Sequence, residues 1–175
     1  MHAVWEKSIG ERDAAAFCAH LHPSLYGALL LYCGSRELAE DLTQEALLRV
    51  WRNWASVAAM DRPDRWALRV AFNLAKSGFR RLRVARRVAA LADETSTRDP
   101  DPTDAIALRT AIAALPTRQR AAVVLRYFND LSVADTAAVL GCAEGTVKAL
   151  TSQAVANLRR RFGIETADDQ EIDDV

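Results

Sequence analysis

Apolar residues recur at helical spacing along most of the chain, and the strict alternation that is typical of strands is rare. Three long helices are predicted first: one from about Glu11 to Tyr32, one from a Ser35 cap to about Trp54, and one beginning near Pro63. Pro23 is expected either to kink the first helix or to mark a new start. The pattern therefore predicts an all-α protein.

The helical pattern is interrupted at Ala92 to Asp104, which reads ADETSTRDPDPTD. This stretch has almost no apolar residues, two prolines and a run of acids, so it cannot bury a core. We therefore predict two small helical domains, residues 1–91 and 105–162, joined by a flexible linker at residues 92–104. The acidic residues 163–175 are predicted to form a disordered tail.

Residues 131–161, reading LSVADTAAVLGCAEGTVKALTSQAVANLRRR, predict a helix-turn-helix with a basic end. Ser132 and Asp135 have the spacing of a capping box at the start of the first helix. Gly141 suits the left-handed position that ends this helix, and a second helix is expected from about Glu144.

The second helix has two contrasting faces. An inward stripe is predicted for Val147, Leu150, Ala154 and Leu158. The outward positions are mostly short and polar and suit base edges in a major groove: Thr146, Lys148, Ala149, Thr151, Ser152 and Gln153. Arg159, Arg160 and Arg161 suit phosphates. The alternative is the surface helix of an ordinary bundle.

The formal net charge of zero hides blocks of opposite sign. Residues 62–87 hold nine basic residues against one acid, and residues 105–162 hold eight against three. Acids dominate the linker and the tail. Two separated basic surfaces indicate polyanion contacts at two places.

Several other classes of protein receive little support from the sequence. Apolar runs such as Ala28 to Cys33 are too short to span a membrane, and the first residues lack a signal-peptide pattern, so membrane insertion is not expected and a cytoplasmic location is. Three cysteines fit a reducing compartment. Cys18, His20 and His22 alternate along a helix, which is unfavourable for a zinc site.

Catalytic groupings are also missing, since there is no Gly-rich phosphate loop and no paired histidine and carboxylate at useful spacing. Asp41 and Glu45 lie four apart, which would suit a metal or an acid/base pair, but an acidic, partner-facing edge is the favoured interpretation. We therefore expect no enzymatic activity, no cofactor and no metal.

Four segments in order carry a resemblance that covers about residues 11–162. They are DLTQEALLRVWRNW from Asp41, RPDRWALRVAFNLAKSGFRR from Arg62, LPTRQRAAVVLRYFNDLS from Leu115, and the helix-turn-helix. In this order the chain resembles a two-domain sigma factor of the extracytoplasmic-function group in the sigma-70 family. The resemblance implies two partners, core RNA polymerase and promoter DNA, and it leaves open whether an anti-sigma factor also binds.

The resemblance also implies roles for individual residues. The polymerase contact would involve Asp41, Gln44, Glu45, Leu48 and Trp51. The segment Trp54 to Trp66 would receive an extruded base of the minus-ten element, although Trp66 is equally compatible with core packing. Contacts to the minus-ten strand would involve Trp66, Arg69, Asn73, Lys76, Arg80 and Arg81. At the minus-thirty-five element, Arg118, Arg120 and Lys148 would neutralise phosphates, and Thr151, Ser152 and Gln153 would touch the bases.

The chain departs from the family pattern at three places. Ala143 stands where a capping Ser is common, and the run Ala149 to Ser152 lacks the Arg that is common near the middle of the recognition helix. Ser77-Gly78 replaces an acidic and an aromatic residue. The first two changes predict weaker promoter affinity through this helix or a different preferred sequence, and the third predicts an effect on strand opening. The rival hypothesis is a stand-alone helix-turn-helix regulator with a sensing or dimerising N-terminal domain.

Overall fold

The computed structural model describes residues 14–88 and 104–163, and every regular element in these two ranges is a helix. The first range forms an N-terminal module of four helices: α1 (Ala14–Cys33), α2 (Arg36–Arg52), the single-turn α3 (Trp54–Val57) and α4 (Pro63–Val88). The second forms a C-terminal module: α5 (Asp104–Ala113), α6 (Thr117–Val123) extended by a π-helical turn (Val124–Phe128), α7 (Val133–Leu140) and α8 (Glu144–Phe162). The predicted all-α fold is confirmed. The predicted linker before Asp104 and the predicted tail after Gly163 lie outside the described residues.

The ends of α2 are determined by local capping. Ser35 accepts a hydrogen bond from the backbone N–H of Leu38 at 3.3 Å, as predicted for the N-cap. At the other end the side chain of Asn53 donates to the carbonyl of Arg49 at 2.8 Å, so α2 ends at Arg52 rather than near Trp54.

Pro23 lies inside α1 and does not end it. A proline within a helix removes one backbone hydrogen bond and crowds the carbonyl four residues earlier. The carbonyl that loses its partner belongs to Ala19, four residues before Pro23. Both residues are exposed, so water can bind this carbonyl. The helix therefore continues across Pro23, so the alternative of a new helix start at this residue is wrong.

The central helix of the fold is α1. Its buried residues include Leu25, Ala28 and Leu29, each fully buried. It packs against α2 and α4 on one side and against α5, α6 and the π-helical turn on another. This double packing explains its apolar composition, which by length and hydropathy would also suit a membrane span, the one such helix in the described part of the chain. No uninterrupted apolar run in α1 is long enough to span a membrane, because polar residues such as His20 and Ser24 interrupt it.

The two modules share a hydrophobic core. The buried cluster that holds Leu25 and Val50 of the N-terminal module continues through Val124, Leu125 and Leu131 of the C-terminal module. Phe128 of the π-helical turn lies directly over Gly27 of α1, where an added Cβ atom would be 2.5 Å from the tip of the ring. Only a residue without a side chain lets the ring approach α1 this closely.

Polar contacts also link the modules. Arg65 of α4 forms an ion pair with Asp135 of α7. The side chain of Asn129 donates to the hydroxyl of Ser24 at 3.0 Å. The sequence predicts two domains joined by a flexible linker, and in this structure the two modules are packed against each other.

Candidate nucleic-acid and partner interfaces

The helix-turn-helix has the predicted local geometry. The hydroxyl of Ser132 accepts from the backbone N–H of Asp135 at 3.0 Å and donates to its carboxylate at 2.6 Å. Gly141 ends α7 with φ at 65°, in the left-handed region. Ala143 begins α8 without a side-chain cap, as its apolar side chain requires. The predicted helix starts at Ser132 and Glu144 are confirmed.

The recognition helix α8 is anchored on its inner face and exposed on its outer face. Val147 and Ala154 are buried, and Leu150 and Leu158 are half-buried, as the stripe predicted. The exposed outer residues are Lys148, Ala149, Ser152 and Gln153, followed at the carboxyl end by Arg159, Arg160 and Arg161. This surface is polar in the middle and cationic at its end.

Two predicted base contacts are less accessible than the sequence suggested. Thr146 is half-buried. The hydroxyl oxygen of Thr151 is buried and has no hydrogen-bond partner among the described residues. Because this oxygen faces the protein, Thr151 does not present it to a base edge, and the structure does not support the predicted contact. Ser152 and Gln153 supply the exposed polar groups instead.

Gln119 of α6 is a site residue that sequence reasoning missed. Its side-chain amide donates to the side-chain oxygen of Gln153 at 3.2 Å. Its own side-chain oxygen accepts from Asn157 at 2.8 Å. The contacts join positions 34 and 38 residues apart, so no local pattern reveals them.

Arg118 and Arg120, which looked alike in the sequence, have different environments. Arg118 is exposed at the start of α6, where it can meet a phosphate. Arg120 instead donates to the carbonyls of Tyr32 at 2.9 Å, Leu115 at 3.0 Å and Ala113. The phosphate role predicted for Arg120 is not supported, because its guanidinium is engaged inside the protein.

The Arg120 contacts lie at the carboxyl ends of α1 and α5, where unpaired carbonyls and the helix dipole favour a cation. Burial lowers the pKa of Arg120 from its ordinary value, although an arginine remains charged at any pH relevant to proteins. Burial also raises the pKa of Tyr32 to about 12 and that of Cys33 to about 12. This end of α1 is therefore a partly buried, polar junction between the modules.

One face of α4 is exposed and polar. Arg69, Asn73 and Lys76 occur at spacings of four and three and are all exposed. The opposite face is buried and contributes Ala67, Leu68, Ala71, Phe72 and Ala75 to the core. The predicted sites Arg80 and Arg81 continue α4, but their side chains lie outside the described residues. Among the described side chains, Arg69 and Lys76 make this exposed face basic.

Trp66 is half-buried and packs against the shared core. The structure thus gives this residue a packing role and leaves part of its surface accessible. Arg65, next to it, is directed to the other module, where its ion pair with Asp135 ties α4 to the helix-turn-helix. The sequence analysis counted Arg65 only as one member of a basic block.

The helix α2 presents the predicted partner-binding set on one exposed face. Leu48 is 41 % exposed and Trp51 is 53 % exposed, beside the exposed Asp41 and Gln44. Glu45 is half-buried on the same face and forms an ion pair with Arg49 at 2.8 Å. The structure brings all five residues together along one side of a single helix.

Family models match both modules of the chain. The model described as Sigma-70 region 2 matches residues 17–87, and the model described as Sigma-70, region 4 matches residues 105–158. The first match contains α2 and most of α4, and the second contains the helix-turn-helix. The first match thus includes the candidate faces of α2 and α4, and the second includes α8 as far as Leu158, short of the three arginines at its end.

Curated relatives share this organisation. The chain is 35 % identical over 144 residues to the ECF RNA polymerase sigma factor SigM of Mycobacterium tuberculosis (strain ATCC 25618 / H37Rv), covering 81 % of this chain and 73 % of the relative. It is 31 % identical over 159 residues to the ECF RNA polymerase sigma factor EcfG of Rhodopseudomonas palustris (strain TIE-1), covering 87 % and 86 %.

A solved structure supports the fold. The sigma factor RpoE from Bartonella quintana, crystallised with the anti-sigma factor NepR, superposes with a TM-score of 0.76 at 24 % identity over 86 % of this chain and 97 % of that one. Together with the region matches and the curated relatives, this likeness leads to one conclusion. The chain belongs to the extracytoplasmic-function sigma factors of the sigma-70 family, the transcription initiation factors that direct RNA polymerase to promoters.

Proposed function

We propose that this sigma factor binds core RNA polymerase through the exposed face of α2, contacts the minus-ten element through α4 and reads the minus-thirty-five element through α8. Transcription initiation would take place in the cytoplasm, where polymerase and DNA are. An anti-sigma factor is a further candidate partner, since relatives such as RpoE of Bartonella quintana bind one. The alternative of a stand-alone regulator is not favoured by the family match.

The observation that carries the polymerase contact is the exposure of Trp51 and Leu48 on a charged helix. The other face of α2 is already satisfied by the core, with Ala46 and Val50 fully buried. Two large apolar side chains therefore remain available beside Asp41 and Gln44. Aromatic anchors within a polar rim are typical of protein interfaces where a few residues contribute most of the binding free energy.

The DNA contacts follow from the exposed polar faces of α4 and α8. Cationic side chains such as Arg69 and Lys76 suit a single-stranded backbone, and Lys148 and Arg118 suit duplex phosphates. Ser152 and Gln153 suit base edges. Both modules are small, so each alone should bind DNA weakly, and polymerase would supply the spacing that makes the two contacts additive.

The Trp51→Ala variant tests the polymerase contact. We expect about a 30-fold loss of affinity for core polymerase, since truncating an interface anchor costs about 2 kcal/mol or more. The unfolding temperature should hardly change, because the side chain is mostly exposed. Phe162→Ala removes another exposed aromatic, 42 % exposed at the far end of α8, and serves as the matched control. Equal polymerase affinity for both variants and the wild type would refute the assignment of α2.

The promoter assignment is tested by transcription. The purified chain alone should bind promoter fragments weakly and with steep salt dependence, whereas the chain with core polymerase should start run-off transcription at selected promoters. Specific nanomolar promoter binding by the free chain would favour the stand-alone regulator instead.

A further inference from the structure

Four side chains form a continuous hydrogen-bonded row across the recognition helix. The guanidinium of Arg160 donates to the side-chain oxygen of Asn157. The amide nitrogen of Asn157 donates to the oxygen of Gln119 at 2.8 Å, and the amide nitrogen of Gln119 donates to the oxygen of Gln153 at 3.2 Å. Gln119 comes from α6 and the other three from α8, so the row joins two helices.

The row has a fixed direction because one end is a guanidinium. An arginine side chain has only donors, whereas a side-chain amide has both a donor group and an acceptor oxygen. Arg160 therefore selects the oxygen of Asn157, which directs the Asn157 nitrogen towards Gln119. Gln119 must then offer its oxygen to Asn157 and its nitrogen to Gln153. Each amide in turn is oriented by the one before it.

Gln153 is the exposed end of this row and lies on the predicted base-reading surface. Its oxygen is engaged towards Gln119, which leaves its nitrogen, with two N–H groups, as the part available to DNA. A free glutamine binds adenine by using oxygen and nitrogen together, accepting from N6 and donating to N7. An oriented Gln153 cannot present that pair side by side.

We propose that Gln119, Asn157 and Arg160 are positioning residues that make Gln153 a hydrogen-bond donor in the minus-thirty-five contact. The base edge that suits a donor is one rich in acceptors, which is guanine with O6 and N7, or thymine with O4. The inference rests on the proposed function, since it requires α8 to lie in the major groove. It adds a specific base preference and the residues that set it.

The exposure of these four side chains determines whether Gln153 is oriented in the free protein or only in the DNA-bound protein. Gln119 and Asn157 are half-buried, whereas Gln153 and Arg160 are exposed. Water competes with these hydrogen bonds in the free protein, and an interface that excludes water strengthens them. The preference is therefore a property of the DNA-bound recognition helix rather than of the free chain.

A Gln119→Glu substitution reverses the hydrogen bond between residues 119 and 153 while keeping the size and shape of the side chain. A carboxylate has only acceptors, so it accepts from Asn157 and also from the nitrogen of Gln153. Gln153 would then turn its oxygen outward. An outward acceptor favours the bases that offer an amino group in the major groove, adenine and cytosine.

The experiment uses the full chain with core polymerase and a promoter library randomised across the minus-thirty-five element, scored by sequencing the bound or transcribed fragments. Gln153→Ala identifies the base position that Gln153 contacts. There the wild type should prefer guanine or thymine by about 5- to 10-fold, the effect of one net hydrogen bond. Gln119→Glu should shift this position towards adenine or cytosine, and Gln119→Ala should reduce the preference without reversing it.

Other outcomes separate this inference from the proposed function. If Gln153→Ala changes one position but both Gln119 variants retain the wild-type preference there, the positioning role is wrong and the promoter contact of α8 stands. If Gln153→Ala changes no position, Gln153 does not read a base and the inference fails. Failure of the wild-type chain to direct core polymerase to any promoter would overturn the proposed function and this inference together. Loss of folding in Gln119→Glu, detected by circular dichroism, leaves Gln119→Ala as the deciding variant.

Discussion

The Arg120→Ala substitution removes the guanidinium that links the carboxyl end of α1 to the turn between α5 and α6. In the wild type this group binds three backbone carbonyls, and its contacts to Tyr32 and Leu115 are partly buried. A hydrogen bond from a charged group contributes about 1.5–3 kcal/mol, and water can replace part of what an open site loses. We therefore expect the free energy of unfolding to decrease by about 2–4 kcal/mol.

Thermal unfolding followed by circular dichroism measures this change. For a chain of this size the expected loss corresponds to a decrease of about 5–15 °C in Tm. Arg118→Ala is the matched control, because Arg118 is exposed and lies two residues away. Its effect on stability should stay within about 0.5 kcal/mol, as for most surface substitutions.

In DNA binding we expect the opposite result, with a larger effect for Arg118→Ala than for Arg120→Ala. The slope of log K against log salt, measured with the complete holoenzyme on a promoter fragment, should decrease by about 0.9 when Arg118 loses a phosphate contact. Arg120→Ala should leave this slope unchanged. An Arg120→Ala protein with wild-type Tm and a reduced salt slope would refute the reasoning, since its guanidinium would then serve DNA and not the fold.

Three further outcomes are expected. Leu125→Ala creates a cavity in the shared core, where Leu125 is fully buried, and should lower the free energy of unfolding by about 2–5 kcal/mol in urea titrations; a loss below about 1 kcal/mol would contradict its place in the core. Ser132→Ala removes the cap of α7 and should cost about 1 kcal/mol, with Ser132→Thr as the rescuing control; equal stability of both variants would argue against the cap. The pKa of Cys33 is near 8.5 in the unfolded chain and about 12 in the folded protein. The free energy of unfolding should therefore keep its full Cys33 contribution below about pH 8.5 and decrease as the pH rises towards 12. Cys33→Ala should make this decrease shallower in stability measurements across pH 8–11, and an unchanged profile would exclude Cys33 as the cause.

Local chemistry explains which parts of the fold could be predicted from the sequence. Ser35, Ser132 and Gly141 act on backbone groups within a few residues, so their spacing predicts the helix ends that the structure shows. The exposed face of α2 follows in the same way from helical periodicity, which places Leu48 and Trp51 on one side.

The contacts between the modules could not be predicted in this way. Arg65 and Asp135 are 70 residues apart; in the sequence Arg65 looks like an ordinary surface charge and Asp135 looks like a local capping residue. Arg120 differs from Arg118 in the backbone carbonyls that it binds, and the carbonyl of Tyr32 is 88 residues away in the chain. Helical periodicity identifies one buried face, whereas α1 contacts helices of both modules. The acidic linker therefore suggested that the two modules are more independent of each other than their packing allows.

The packing of both modules onto α1 has a consequence for binding equilibria. Any partner that needs the modules separated must expose the side of α1 that now contacts the C-terminal module. The apparent dissociation constant of such a partner depends on the fraction of molecules in which the modules are already separated. Each increment of about 1.4 kcal/mol in favour of the packed state therefore raises this constant about tenfold. Substitutions at Gly27, which lies beneath Phe128, would thereby tune how readily the factor is recruited.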